Sequence, residues 1–209
     1  MPIATAVEHG REPLLVDAIV ERSRFADLQI VLTSTALTAI AAQVELPAWP
    51  VPVTGQSFAV LLVALAAGWA RAALAMVLYL ALGFAGLPVF AGAASTTQVL
   101  ESPSAGFLLS FIAVAMILGA LSARLPIGRL LPAVLAAVTG SLVLLGLGGI
   151  WLGVWVATTL GPDAVLTTSV AALLPFLPGA IGKAILAALV VVGCRRLLDR
   201  DRDAERPRS

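Results

Sequence analysis

Residues 175–196 read PFLPGAIGKAILAALVVVGCRR, and the fold turns on how the one lysine in this stretch is read. Lys183 is followed by an apolar run from Ala184 to Gly193, and no other Lys or Arg lies between Arg129 and Arg195. A lysine inside a membrane span costs about 2.5–3.5 kcal/mol on insertion scales, which makes it a functional-site hypothesis by default. The competing reading is a lysine that snorkels to an interface. Deciding between them requires a topology.

The rest of the chain supplies one. Of its 209 residues 60% are hydrophobic and only 12% charged, with a mean hydropathy of +1.02. A soluble domain carries roughly twice that charge, so the chain reads as an all-α integral membrane protein. The net charge of +1 names no partner, and no nucleic acid is expected. The single cysteine, Cys194, forms neither an internal disulfide nor a Cys-cluster metal site. The single histidine, His9, sits in the polar N-terminal tail, which argues against His-based metal sites and triads in the membrane. No cofactor is expected. The first 27 residues mix Arg11, Arg22 and Arg24 with Glu8, Glu12, Asp17, Glu21 and Asp27, unlike the continuous apolar core of a cleavable signal. Leu15, Ile19 and Arg22 at helical spacing suggest a short interfacial helix there.

Apolar segments fall at about Leu28–Ala42, Ser57–Ala70, Ala72–Leu87, Ala105–Ala123, Leu130–Leu160 and Val170–Leu198. The second and third are short against the roughly 20 residues that cross a bilayer, so they need local thinning or burial against neighbouring helices. The basic residues decide whether those two are one helix. Arg11, Arg22 and Arg24 precede the first span, Arg71 separates the second and third, and Arg124 and Arg129 separate the fourth and fifth. Arg195, Arg196, Arg200, Arg202, Arg206 and Arg208 follow the sixth. The loops Glu45–Gln56, Pro88–Ser104 and Gly161–Ser169 contain no Lys or Arg. Six spans therefore put every Arg on one side, the positive-inside pattern, with both termini cytoplasmic. Merging the second and third spans breaks that pattern. The expected organisation is a cytoplasmic tail over 1–27, a six-helix membrane domain over 28–198, and a charged cytoplasmic tail over 199–209.

The outer loops are rich in proline, including Pro47, Pro50, Pro52, Pro88 and Pro103, and carry or border on Trp49, Phe90 and Phe176. They read as packed caps over something, against the alternative of ordinary interfacial loops. Trp69, Trp151 and Trp155 fit membrane-interface belts and need no ligand. Ser34, Thr38 and Ala42 form a small-xxx-small line, and Gly149 and Gly153 a GxxxG, both suited to close helix approach, whether within the chain or to another subunit. No repeat of the two halves is visible, so an inverted-repeat carrier is not supported.

In this frame Lys183 lies twelve residues before the boundary at Arg195, or about 18 Å along a helix. That is the outer half of the membrane. A cation in a cavity wall beneath the outer loops suits an anionic or carbonyl-bearing solute. Gly179–Ala184 is no phosphate loop, because its spacing is wrong and no Ser or Thr follows the lysine. An ATP-driven step belongs to other subunits.

Three motifs in order carry a resemblance. Residues 50–59, PVPVTGQSFA, are similar to the PVPVTxQxFA signature of the BioY family of biotin-binding substrate-specificity subunits (S components) of energy-coupling-factor transporters. Residues 79–92, YLALGFAGLPVFAG, resemble its YLxLGxxGLPVFAG segment, and Pro175–Gly179 with Lys183 resembles PFxPGDxxK. The resemblance implies an S-component-like bundle with a pocket open outwards, biotin as ligand, and a transmembrane coupling subunit with cytoplasmic ATPase subunits as partners. It places Gln56 and Lys183 in the pocket, with Tyr79 as a further candidate. Gln56 offers amide donors and an acceptor, and Lys183 a charge-assisted hydrogen bond. The Ser34/Thr38/Ala42 face becomes the candidate docking surface, with packing inside the bundle as the alternative. The chain departs from the pattern at Ala180, where the family has Asp. That removes a natural counter-ion for Lys183, and Ser95 and Gln98 are candidates for replacement polarity. The runner-up is the same fold with another small vitamin-like ligand. An intramembrane enzyme needs acid–base groups in the membrane, where only Lys183 stands, with Asp163 near a loop. A proton-coupled carrier is disfavoured by the lack of intramembrane Asp or Glu.

Overall fold

A short helix ahead of the first long one packs onto the bundle. The computed structural model describes residues 14–204 apart from 22 and 96, so His9, Arg11 and Arg22 lie outside the described residues. Helix α1 (Leu15–Ile19) packs on helices α3 (Gln56–Ala67) and α8 (Phe176–Ala204), burying Leu15 and leaving Ile19 exposed. Helix α2 (Arg24–Ala42) starts where Ser23 accepts a hydrogen bond from the Ala26 amide at 3.0 Å, with Asp27 in its first turn. Both features favour a helix N-terminus.

Helix α4 (Trp69–Phe84) follows α3 after Gly68 alone, at φ 79°. Only glycine takes that conformation cheaply, and a Cβ there would lie 2.6 Å from the Leu14 side chain. The separation of these two helices agrees with the charge pattern, but the joint differs. It is at Gly68, not at Arg71. Arg71 sits inside the first turn of α4, where its guanidinium pairs with Asp17 of α1 at 2.7 Å and Asp27 of α2 at 2.6 Å. An arginine with two carboxylates in reach has no need of a loop.

Helices α5 (Ala105–Ser122) and α6 (Leu130–Thr159) follow. The stretch expected as one span, Val170–Leu198, is split into α7 (Val165–Leu173) and α8. The break falls at Leu174-Pro175, where proline has no N–H for the helix ladder. Pro178 is tolerated because it lies in the first turn of α8, where amides have no intrahelical partner. Helix α8 also runs past Leu198 to Ala204, so the charged tail begins as helix rather than as a separate segment. The GxxxG of α6 faces α7. A Cβ on Gly149 would stand 2.9 Å from Leu173, and one on Gly153 3.8 Å from Val165. Its partner is therefore internal.

Among the described residues, α2, α5, α6 and α8 are long and apolar enough to cross a membrane. The 12-residue α3 and the 16-residue α4 reach only about 18 and 24 Å, short of a core about 30 Å thick. Burial compensates: α3 is ringed by α2, α4, α5 and α8, and Val60, Leu61, Ala64 and Leu65 are fully enclosed. The longer helices carry exposed apolar faces, such as Leu131, Leu142 and Ile150 on α6, as lipid contact requires. The stripe expected to dock a partner is corrected here. Ser34 is 8% exposed and Thr38 and Ala42 are fully buried, because α2 uses this side against α3 and α4. Thr38 donates to the Ser34 carbonyl at 2.9 Å, and the neighbouring Thr35 to the Ala75 carbonyl of α4 at 3.0 Å.

Candidate ligand-binding site

A cavity of about 240 Å³ opens above the N-terminus of α3. Two of the three loops free of Lys and Arg form its roof. One is the hairpin of β1 (Glu45–Leu46) and β2 (Val53–Thr54), and the other is the 85–104 connection with its two 3₁₀ turns. Phe107 and Phe111 of α5, Leu144 of α6 and Phe176 of α8 give it apolar walls, with Phe107 and Phe176 stacked at 6.3 Å. The arrangement matches the general anatomy of small-molecule sites, mostly apolar with a few placed polar groups.

Those polar groups meet at Thr54. Its carbonyl accepts from Lys183 Nζ, which also donates to Ser57 Oγ at 3.1 Å. Its hydroxyl donates to Gln56 Oε1 at 2.7 Å. One short segment thus fixes both residues expected from the sequence on one wall, across 129 residues of chain. Lys183 is half-buried, and among the described residues it is the only charged group lining the cavity. Its partners are neutral, so its charge is solvated by dipoles rather than neutralised. Ser141 of α6 also lines the site and donates to the Ala180 carbonyl at 3.4 Å.

Tyr79 was expected to line the pocket and does not. It is fully buried behind the wall, accepting from Gln56 Nε2 and donating to the Val89 carbonyl at 3.1 Å. The Gln98 side chain lies outside the described ones. Its neighbours Val99 and Ser102 line the cavity.

The loop wall is held from behind. Phe90 lines the cavity with its ring pressed on α4 where Gly83 has no side chain, edge-on to Tyr79 at 5.4 Å and Phe84 at 5.6 Å. Gln43, at the end of α2, donates to the Phe90 carbonyl at 3.0 Å and accepts from the Ala93 amide at 3.2 Å. Trp151 and Trp155, one turn apart on α6, donate their indole N–H groups to the carbonyls of Ser102 and Glu101, both at 3.0 Å. The expectation for these two was an interface belt alone. In the structure they fasten a cavity-lining loop. Gln43, Ser57 and Ser141 escaped the sequence reading, because a lone polar residue at a helix end or on an apolar helix carries no pattern.

The arrangement is suited to a small molecule with an apolar body and an anionic or carbonyl oxygen. Aromatic walls take the body, and the ammonium supplies a charge-assisted hydrogen bond. Comparison with known proteins agrees with this architecture. A solved structure of the S-component for biotin from an ECF-type ABC transporter shares the fold, with a TM-score of 0.65 at 21% identity, covering 84% of this chain and 95% of that one. A biotin transporter of Rhizobium etli is 35% identical over 147 residues, 68% of this chain and 76% of its own length. Biotin transporter BioY2 of Lactococcus lactis is 33% identical over 132 residues, 63% of this chain and 72% of its own. The model of the BioY family matches residues 17–200, and the chain belongs to that family.

Proposed function

We propose that this protein takes up biotin across the cell membrane as the substrate-binding subunit of an energy-coupling-factor transporter. The observation that carries the reading is the joint placement of Lys183 and Gln56 on one wall of an aromatic-lined cavity, tied together through Thr54. Biotin has what this wall asks for: a compact apolar bicycle, a ureido group and a carboxylate. The relatives named as biotin transporters support the choice. In this reading six helices cross the membrane with both termini in the cytoplasm, as the one-sided arginines require, and the cavity opens outwards. A transmembrane coupling subunit and cytoplasmic ATPase subunits supply the energy, and the chain is not an enzyme.

The test is binding of labelled biotin to the purified protein, with dethiobiotin and unrelated vitamins as competitors. Saturable binding displaced by dethiobiotin alone is the expected result. A folded sample that ignores biotin but binds another carboxylate-bearing vitamin moves the function to that ligand. The exchange of an acidic residue for Ala180 makes this second outcome the one to check first.

A further inference from the structure

We infer that Tyr79 is a positioning residue that sets which way round the amide of Gln56 faces the ligand. The argument is a count of protons. A tyrosine hydroxyl has one proton to donate, and a backbone carbonyl only accepts. Tyr79 donates to the Val89 carbonyl at 3.1 Å, so towards Gln56 it acts only as acceptor. The atom of Gln56 that meets it must therefore be the NH₂ group. On the other side the Thr54 hydroxyl donates to Gln56 Oε1 at 2.7 Å. Flipping the amide would set Oε1 against a hydroxyl with no proton to give, at a residue only 5% exposed. Leaving such buried groups unmatched disfavours the flipped amide by roughly ten-fold or more, enough to hold one orientation.

Gln56 lines the cavity. With one N–H committed to Tyr79 and one lone pair to Thr54, the amide keeps one N–H and one lone pair for the ligand. A donor and an acceptor held on one fixed amide complement a ligand that carries both C=O and N–H groups. The relay thus favours ligands that present N–H and C=O together, and it gives Tyr79 a part in binding although it never touches the ligand.

The test rests on the biotin reading and uses biotin as the probe. In wild-type protein, Tyr79→Phe should weaken binding by roughly ten-fold, the size of one hydrogen bond's net worth. In a Gln56→Leu background the same change should have no further effect, because the amide it orients is gone. Thr54→Val approaches the amide from the other side while keeping the backbone carbonyl that Lys183 uses, and it should show the same dependence on Gln56. It serves as the second variant if Tyr79→Phe is poorly folded by thermal unfolding. Additive losses in the double variants would overturn the inference and leave Tyr79 as a support of the 85–94 loop alone. Unchanged affinity in Tyr79→Phe or in Thr54→Val would overturn it too. Absence of biotin binding by the wild-type protein would instead count against the functional reading, and is seen before any variant is made.

Discussion

Replacing Gly83 with alanine sets two effects against each other, and the structure decides between them. Alanine favours a helix over glycine by about 1 kcal/mol, so propensity alone predicts a more stable protein. But a Cβ at position 83 would fall 2.1 Å from Cζ of Phe90 and 2.4 and 2.5 Å from its Cε atoms. Carbon atoms rest at about 3.5–4.0 Å, so the ring must retreat by about 1.5 Å. Tyr79 and Phe84 flank it, and its backbone is pinned by Gln43 and, through Val89, by Tyr79. The cavity is the open direction. Overpacking of this kind costs about 1–3 kcal/mol, which cancels or exceeds the gain in propensity. Stability should therefore stay level or drop by up to about 2 kcal/mol. Biotin affinity should fall by ten-fold or more, because the ring moves into the ligand's space. Isothermal titration and thermal unfolding of the same detergent-purified sample measure both. Phe90→Leu in the Gly83→Ala background shortens the offending group and should recover stability. A Gly83→Ala protein that melts higher than wild type and binds biotin unchanged would refute the description of Phe90 as a fixed wall.

Three further outcomes follow from named contacts. Lys183→Met should weaken biotin binding by about 1.5–3 kcal/mol, roughly 10- to 150-fold, as expected for loss of one charged hydrogen bond, while Ser57→Ala changes it much less; equal binding by Lys183→Met removes the lysine from the site. Arg71→Met removes the guanidinium shared by Asp17, whose side chain is only 5% exposed, and Asp27, and should cost about 2–3 kcal/mol of stability, the size of one charged hydrogen bond, with ligand affinity kept in the surviving folded fraction; Arg71→Lys should recover only part of the loss, because one ammonium does not reproduce the fork across two carboxylates. Gln43→Ala releases the Phe90 carbonyl and the Ala93 amide together, and should speed biotin dissociation more than it lowers the melting temperature; the reverse ranking would make Gln43 a stability residue only.

The long apolar helices were legible because lipid demands apolar runs, and the division of the second apolar segment from the third because arginine is expensive to translocate. Those two constraints separated α3 from α4 correctly. They missed the joint, because Arg71 finds Asp17 and Asp27 only once α1 and α2 are in place. They also missed the split at Pro175, since hydropathy is indifferent to a missing amide. Gln56 and Lys183 were readable from the motifs, and the structure brings them onto one wall. Tyr79 was readable as a candidate but not as hidden, since a motif does not say which side of the wall a residue stands on. The Ser34/Thr38/Ala42 line showed that something packs closely there, and small residues alone do not reveal whether that neighbour is the chain's own α3 and α4. The tryptophans illustrate the same limit. An indole at a membrane interface and an indole latching a loop look identical in sequence.

The brevity of α3 has a consequence for how this protein makes room for a solute. In a hydrocarbon layer about 30 Å deep, a twelve-residue column leaves about 12 Å unfilled along the bundle axis. Residues of α5, α6 and α8 line the cavity at the first residue of α3, Gln56, and the cavity is the storey that α3 does not occupy. Depth is thereby set by where one helix begins, and the floor carries the positive end of that helix's dipole. Ligand size can then be retuned by moving the start of α3 a turn up or down, without redesigning the walls. Extending α3 by one turn beyond Gln56 would close the chamber by about 5 Å.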